Sequence, residues 1–364
     1  MEKNIKVTFV IPSLGSGGAE RVVSNLSNEF TALGMNVNVI MLANRNLYYP
    51  LNDNVGIEYL DCEKDNSLPF FKRYKLRLKK IKSAVKKINP DVVISFMSET
   101  NIDVCFAMRG LKIPLIVSER NDPAIDPASK AKQYMRKIAY RKPSGFVFQT
   151  PDAQRYFSKR IQEKSCIILN PLSATLPTPY EGKRDKRIVS VGRLNKQKNF
   201  PLLFDAFAEF VKEYPDYKLE IYGEGLLKEK LQQYILQLGM ENKVSLMGFC
   251  KDVHDKIKTA SMFVMSSDFE GMPNALLEAM AIGMPCISTD CPCGGPRMLI
   301  REYENGMLVK TKSKDSIFKA MKYMVDNPHK AYQMGKKSQK IRAEADASAV
   351  VQTWIDYIEK IVGD

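Results

Sequence analysis

Two carboxylates eight residues apart, Glu270 and Glu278, flank the run Gly271-Met272-Pro273-Asn274-Ala275-Leu276. An apolar stretch precedes them, a Gly-x-Pro turn lies between, and a helical pattern follows. The spacing predicts Glu270 at the carboxyl end of a strand and Glu278 on the first turns of the next helix. In an open parallel sheet, ligands lie outside that edge. The turn would aim the backbone N–H groups of about residues 271–276 outward, and a helix amino terminus favours an anion there. Carboxylates around such a nest accept hydrogen bonds from hydroxyls. A ligand that carries both hydroxyls and phosphate satisfies the pair, and a nucleotide sugar has that combination.

A second set of groups complements the first. In Val191-Gly192-Arg193-Leu194-Asn195-Lys196-Gln197-Lys198-Asn199, Arg193 can hold phosphate oxygens bidentately and Lys198 adds a point charge. Together they would neutralise a diphosphate leaving group as it gains charge. Near the amino end, Gly15-Ser16-Gly17-Gly18 follows a strand pattern and opens a helix, with Glu20 just inside it. The glycines serve either a tight turn or the close approach of backbone to a phosphate or an acceptor, and we assign Gly17 and Gly18 to the donor. The full G-x-G-x-x-G is lacking, and Asn44 and Arg45 stand where an acidic residue would close the second strand. Both features disfavour NAD.

These pieces together resemble the donor site of the retaining glycosyltransferases of the GT-B fold, family four. Glu270 and Glu278 match that family's E-x7-E, Gly192 to Asn199 its G-R-x4-K-N, and Gly17-Gly18-Ala19-Glu20-Arg21 its G-G-A-E-R loop. The order holds over nearly the whole chain. The resemblance implies that Glu278 contacts ribose hydroxyls, that Glu270 lies near the transferred sugar, and that Phe249, in Met247-Gly248-Phe249, borders the base. Glu270, Arg193 and Lys198 are then the catalytic set, in a reaction that retains anomeric configuration and assigns no covalent nucleophile. Gly223-Glu224-Gly225 resembles the family's G-x-G turn and reads equally as ligand contact or plain glycine turn. Ser118-Glu119-Arg120-Asn121 stands where many relatives have S-E-H-N, so a histidine role is lost. Arg120 meets a phosphate of acceptor or donor, or pairs with Glu119 or a neighbour. Glu20 and Arg120 are set apart from the donor residues, on the acceptor side or with no assigned role. The sugar implied is a hexose or N-acetylhexosamine on a nucleotide diphosphate, and similar relatives with G-G-A-E-R loops point to UDP-N-acetylhexosamine as the preferred donor. The acceptor implied is a polyprenyl-diphosphate-linked glycan in bacterial surface polysaccharide or glycoprotein glycan assembly. No cofactor is expected. No Asp-x-Asp occurs, so Arg193, Lys198 and helix amides are expected to hold the diphosphate without a metal.

Composition narrows the setting. The chain has 364 residues, a net charge of +14, seven scattered cysteines and two histidines, His254 and His329. An odd, scattered cysteine set argues for a reducing compartment, and Cys291 and Cys293 lack the second pair a zinc site needs. No apolar run reaches the roughly 20 residues of a membrane span, and Met1-Glu2-Lys3-Asn4-Ile5-Lys6 leads straight into a strand pattern. A cytoplasmic protein without a signal peptide is the expectation. Residues 71–88 carry nine lysines and arginines and no acid, with Phe71, Tyr74, Leu78, Ile81, Val85 and Ile88 at spacings of three and four. This amphipathic helix suits an anionic membrane surface, placing the protein peripherally at the inner face, and Lys130–Lys142 would extend the patch. Aromatic and basic residues do not interleave, so nucleic acid is not an expected partner. A nucleic-acid binder and a nucleotide-sugar epimerase on the same fold are the competing readings.

The elements that must position these groups alternate strand and helix twice. Lys6–Ile11, Val37–Leu42, Asp91–Phe96, Pro114–Ser118 and Gly145–Gln149 read as strands, with a helix over about Ala19–Leu33. The proline- and glycine-bearing segment Asn170–Lys186 reads as a linker. Arg187–Val191, Lys218–Tyr222, Lys243–Met247, Met262–Met265 and Pro285–Ser288 follow as strands, with helices over Phe200–Glu213 and Leu226–Leu238. The pattern predicts an α/β protein of two Rossmann-like doubly wound domains with an interdomain cleft. They are an acceptor-binding domain over 1–170 and a nucleotide-sugar-binding domain over 187–344. By resemblance, the helix within 347–364 packs back on the first.

Overall fold

The computed structural model describes residues 5–363 apart from 16, 44–46 and 174. Ser16 of the glycine loop, and Asn44 and Arg45, therefore lie outside the described residues. The chain forms two compact units, Met1–Pro171 with Ala347–Asp364, and Leu172–Asp346.

The first unit is built on a seven-stranded sheet of β1 (Lys6–Ile11), β2 (Asn36–Met41), β3 (Gly56–Tyr59), β4 (Val92–Phe96), β5 (Leu115–Ser118), β6 (Gly145–Phe148) and β7 (Ser165–Ile167). Their order is β3-β2-β1-β4-β5-β6-β7, and every pairing is parallel. The central strands are mostly apolar and buried because both faces are covered. β3 and β7 are short edge strands and partly exposed. The sheet reverses direction of growth between β1 and β4, which places the glycine loop after β1 at the switch point.

The carboxyl-terminal helix Ala347–Gly363 completes this unit. Val350, Val351, Trp354, Tyr357 and Ile358 recur at helical spacing and are buried. Trp354 is fully buried and stacks on Phe96 of β4 at 6.0 Å. The Tyr357 hydroxyl donates to Lys164 O at 2.6 Å and accepts from Phe146 N at 2.9 Å, tying the helix to the far half of the sheet. A Cβ on Gly145 would lie 2.5 Å from that hydroxyl, so the close approach needs glycine.

The second unit has a six-stranded parallel sheet of β8 (Asp185–Val191), β9 (Lys218–Tyr222), β10 (Val244–Gly248), β11 (Ala260–Met265), β12 (Cys286–Thr289) and β13 (Met307–Val309). The order is β10-β9-β8-β11-β12-β13, with its switch point between β8 and β11. Helix Phe200–Glu213 buries Phe200, Phe204, Phe207 and Phe210 in this core.

The segment read as a linker is not a free tether. Leu172 N donates to Ala345 O at 2.9 Å, and Arg342 donates to the carbonyls of Leu176 and Pro177. Arg184 binds the carbonyls of Lys258, Ala260 and Gly283. The segment after Pro171 thus belongs to the second unit.

Helix Phe70–Ile88 forms as its periodicity predicts, but its charges divide in two. Arg77 pairs with Asp103, Lys80 with Asp65 and Lys87 with Glu58, while Lys82 donates to Arg109 O. Lys72, Lys75, Lys79 and Lys86 form an exposed stripe. Phe71 does not join the core: it is 84% exposed, beside Phe70 at 61%. Arg136, in the second basic run, is 2% exposed and braces a loop instead of extending the surface patch. Among the described residues, no helix is long and apolar enough to cross a membrane.

Candidate active site

The residues of the second unit predicted to hold the donor gather at the carboxyl ends of β8 and β11, neighbours at the switch point. After β8, Asn195 Oδ1 accepts from Lys198 N and shapes a single 3-10 turn, Lys196–Lys198, before helix Phe200–Glu213. After β11, residues 266–273 lead into helix Asn274–Ala281. The two loops are laced together. Asp268 N donates to Gln197 O at 2.8 Å, Ser266 Oγ to Lys198 O at 2.8 Å, and Asn199 Nδ2 to Asp268 Oδ1 at 2.9 Å.

This lacing brings Lys198 and Glu270 into contact. Lys198 Nζ lies 2.6 Å from Glu270 Oε1, which also accepts from Ser267 Oγ at 2.7 Å, while Gln197 Nε2 reaches Oε2 at 3.3 Å. Glu270 is 7% exposed and held by three donors, so its rotamer is set before any ligand arrives. Lys198 has spent one of its donors on a carboxylate and can offer others. Arg193, on the same loop, is exposed, and among the described residues no carboxylate pairs with it. The site thus holds one compensated cation and one uncompensated cation.

Glu278 is 4% exposed and is not a solvated helix charge. Its Oε2 lies 3.0 Å from His254 Nε2. Leu276 is fully buried and Met272 nearly so. The residues from Gly271 to Leu276 can therefore meet a ligand mainly through backbone, where the first turn of a helix leaves N–H groups without helical acceptors. Glu270 N donates to Pro292 O and Cys293 N to Glu270 O, pressing this turn on the loop after β12. A Cβ on Gly295 would lie 1.8 Å from Gly271 O, so that contact exists only with glycine.

Gly223 and Gly225 are explained by packing. Cβ atoms there would fall 2.0 Å from Gly192 O and 2.4 Å from Leu194 O, and Leu194 N donates to Glu224 O. The Gly223-Glu224-Gly225 turn is the bed on which the Arg193 loop lies. Phe249 stands 56% exposed just beyond β10, on the same edge of the sheet.

The remaining predicted residues lie in the first unit. Gly17 precedes the first turn of helix Gly18–Ala32, and the Glu20 carboxylate folds back into the space a Gly17 side chain would fill. Arg120 follows β5. It does not pair with Glu119: its Nη2 donates to Asn170 Oδ1 at 2.6 Å, and Glu119 turns to Ser98, Tyr140 and Arg136. Sequence reasoning missed Gln197, Ser267 and His254. Gln197 occupies a variable position inside a motif and Ser267 stands just ahead of one. His254 carried a signal only as one of two histidines.

Two family profiles cover the chain, "Glycosyltransferase Family 4" over residues 16–175 and "Glycosyl transferases group 1" over residues 179–341. A Campylobacter jejuni relative, an N-acetylgalactosamine-N,N'-diacetylbacillosaminyl-diphospho-undecaprenol 4-alpha-N-acetylgalactosaminyltransferase, is 32% identical over 359 residues, 93% of this chain and 95% of its own. The chain belongs to the family four, group 1 glycosyltransferases. A second Campylobacter jejuni relative, GalNAc-alpha-(1->4)-GalNAc-alpha-(1->3)-diNAcBac-PP-undecaprenol alpha-1,4-N-acetyl-D-galactosaminyltransferase, is 26% identical over 98% of this glycosyltransferase and 99% of its own length. Among solved structures, Anabaena HepE in complex with UDP superposes with a TM-score of 0.82 at 17% identity, covering 98% of this glycosyltransferase and all of that chain. The fold of this glycosyltransferase is accordingly GT-B, with two parallel-sheet Rossmann-like units.

Proposed function

We propose that this glycosyltransferase moves a hexose or N-acetylhexosamine from a UDP-sugar to a hydroxyl of a polyprenyl-diphosphate-linked glycan, with retention of configuration and without a metal. The observation that carries the donor reading is the juxtaposition of Lys198 and Glu270 at 2.6 Å on adjacent strand ends, with Arg193 and Glu278 on the same edge. In this reading Arg193, the spare donors of Lys198 and the helix start at Asn274 take up the diphosphate charge as the glycosidic bond breaks. Glu278, held by His254, accepts from ribose hydroxyls. Glu270 accepts from hydroxyls of the sugar, and Phe249 borders the base. The departing phosphate takes the acceptor's proton on the same face, so the protein supplies position and charge. Gly17 and Gly18 belong to the donor, and Glu20 is kept for the acceptor. UDP in the HepE structure and the undecaprenol-linked substrates named for the Campylobacter relatives support the choice of donor and acceptor.

Thermal stabilisation across a panel of nucleotide sugars tests the donor. A ligand at about 100 times its Kd adds roughly 2.7 kcal/mol to native stability. UDP-N-acetylhexosamines are expected to raise the melting temperature and GDP- and ADP-sugars to leave it unchanged. A panel in which no nucleotide sugar stabilises the protein defeats the reading. NMR of the product's anomeric proton then tests retention.

For the membrane part of the proposal, the stripe Lys72, Lys75, Lys79 and Lys86 faces anionic lipid at the inner surface of the cytoplasmic membrane, with Phe70 and Phe71 at its amino end. Near-surface basic residues contribute about 1 kcal/mol each. Changing these four to glutamate should therefore weaken binding to phosphatidylglycerol vesicles by at least about 100-fold. Lys80 and Lys87 are left intact because Asp65 and Glu58 already pair with them. Undiminished vesicle binding by the fourfold variant removes the membrane surface from the proposal.

A further inference from the structure

The first unit carries a cation that its own fold does not neutralise. Arg120 stands just beyond the carboxyl end of β5 and is partly buried. Its Nη2 donates to Asn170 Oδ1 at 2.6 Å, Nη1 lies 3.4 Å from Ser118 Oγ, and Cζ sits 5.0 Å over the Phe96 ring. All three neighbours are uncharged. Among the described residues, no carboxylate comes within ion-pair distance. Two of its five N–H donors are occupied, and the others are left for a partner. Burial lowers its pKa to about 9, so it remains charged at neutral pH. Taking a cation out of water without a counter-charge is costly, and folds seldom retain such a group without use for it.

The surroundings hold Arg120 in place. Asn170 Oδ1 also accepts from Gln149 Nε2 at 2.7 Å, which fixes the amide that Arg120 grips. The loop that carries Arg120 is pinned from beneath by Arg136, whose Nη1 and Nη2 donate to Asp126 O and Pro123 O, both at 2.6 Å. Glu119, fully buried, takes the Ser98 hydroxyl at 2.6 Å and the Tyr140 hydroxyl, and lies 3.8 Å from Arg136. Burial pushes the Glu119 carboxyl up, against the pull of Arg136. Arg136 thus answers Glu119, and nothing answers Arg120. Phe96 and Ser118 end β4 and β5, so the free side of the guanidinium stands at the carboxyl edge of the sheet, where parallel sheets receive ligands.

We propose that Arg120 is an anion-binding residue that takes phosphate oxygens of a diphosphate ester, and that the ligand supplies the charge the fold withholds. The planar fork matches two phosphate oxygens at once. The choice of a diphosphate rests on the transferase reading above, which offers two sources, the nucleotide sugar and the lipid-linked acceptor.

The test uses the full chain with Arg120→Gln, and with Arg120→Lys as the conservative variant. Inorganic pyrophosphate is titrated calorimetrically in an Arg193→Ala, Lys198→Ala background, which silences the proposed donor site. Hydrogen bonds to charged groups predict a loss of about 10- to 100-fold in pyrophosphate affinity on Arg120→Gln, with Arg120→Lys between. The ligand-free Arg120→Gln protein should melt at the same temperature or higher, since an uncompensated charge is removed. Equal pyrophosphate affinity with and without Arg120 overturns the proposal. So does a melting temperature several degrees lower with unchanged affinity, which would make Arg120 a brace. With Arg193 and Lys198 intact, UDP and farnesyl diphosphate separate the sources: the one whose affinity falls on Arg120→Gln names the ligand, and a fall in neither overturns the proposal. If no sugar is transferred but pyrophosphate binding still depends on Arg120, the transferase reading fails and this one stands. If transfer proceeds normally in Arg120→Gln and pyrophosphate binding is unaltered, only this one fails.

Discussion

Lys198→Ala should lower kcat/KM for sugar transfer by about 10²- to 10³-fold, the usual loss when one preorganised charge donor is removed from a developing oxyanion. Two effects combine. The diphosphate loses a cation, and Glu270 loses the partner 2.6 Å from its Oε1. Glu270 keeps Ser267 and Gln197, so the loop holds, but its buried charge loses its counter-ion and the melting temperature should fall by several degrees. The double variant Lys198→Ala, Glu270→Gln separates these effects. If the pair works as a unit, the double variant is barely slower than the worse single one, because residues acting together are non-additive. Losses that multiply would mean that the ion pair is incidental to turnover. A Lys198→Ala enzyme with full activity would remove the site assignment altogether.

Trp354→Ala destabilises the first unit by about 3–5 kcal/mol, the range for truncating a large buried aromatic. Trp354 is fully buried, and its ring stacks on Phe96 at the heart of the sheet. Alanine leaves a cavity between the last helix and β4 that neighbours fill only in part. Each kcal/mol is worth roughly 2–4 °C in a domain of this size. Differential scanning calorimetry should therefore show the first unit melting about 10 °C lower while the second is unmoved. Trp354→Phe keeps the ring stack and costs less. An unshifted melting profile in Trp354→Ala would show that the helix adds little to the unit it completes.

The alternating pattern of apolar runs and amphipathic helices was enough to read the α/β architecture, because strands covered on both faces must be apolar throughout. Three of the four edge strands escaped that reading, while Val244–Gly248 did not. Gly56–Tyr59, Ser165–Ile167 and Met307–Val309 are only three or four residues long. The carboxylate spacing and the Arg193–Lys198 loop were legible for a different reason: their residue types are dictated by chemistry and their positions by the turn that joins strand to helix.

Partnership was not legible. Contacts between loops distant in sequence are set by strand order, and a strand order of β10-β9-β8-β11-β12-β13 is what brings Lys198 beside Glu270 across 72 residues of chain. The same holds for His254 on Glu278, and for the division of the basic helix into braced and exposed lysines. Arg120 shows the difference most plainly. Its sequence neighbour Glu119 offered a partner, yet the fold turns that carboxylate to Ser98, Tyr140 and Arg136 and leaves Arg120 with an amide, a hydroxyl and a ring. Amino-acid order alone determined which chemical groups this glycosyltransferase possesses and which element each stands on. Tertiary structure decided which charges are already answered, because adjacency along the chain fixes which element a residue belongs to, while charge compensation depends on distances that only packing creates.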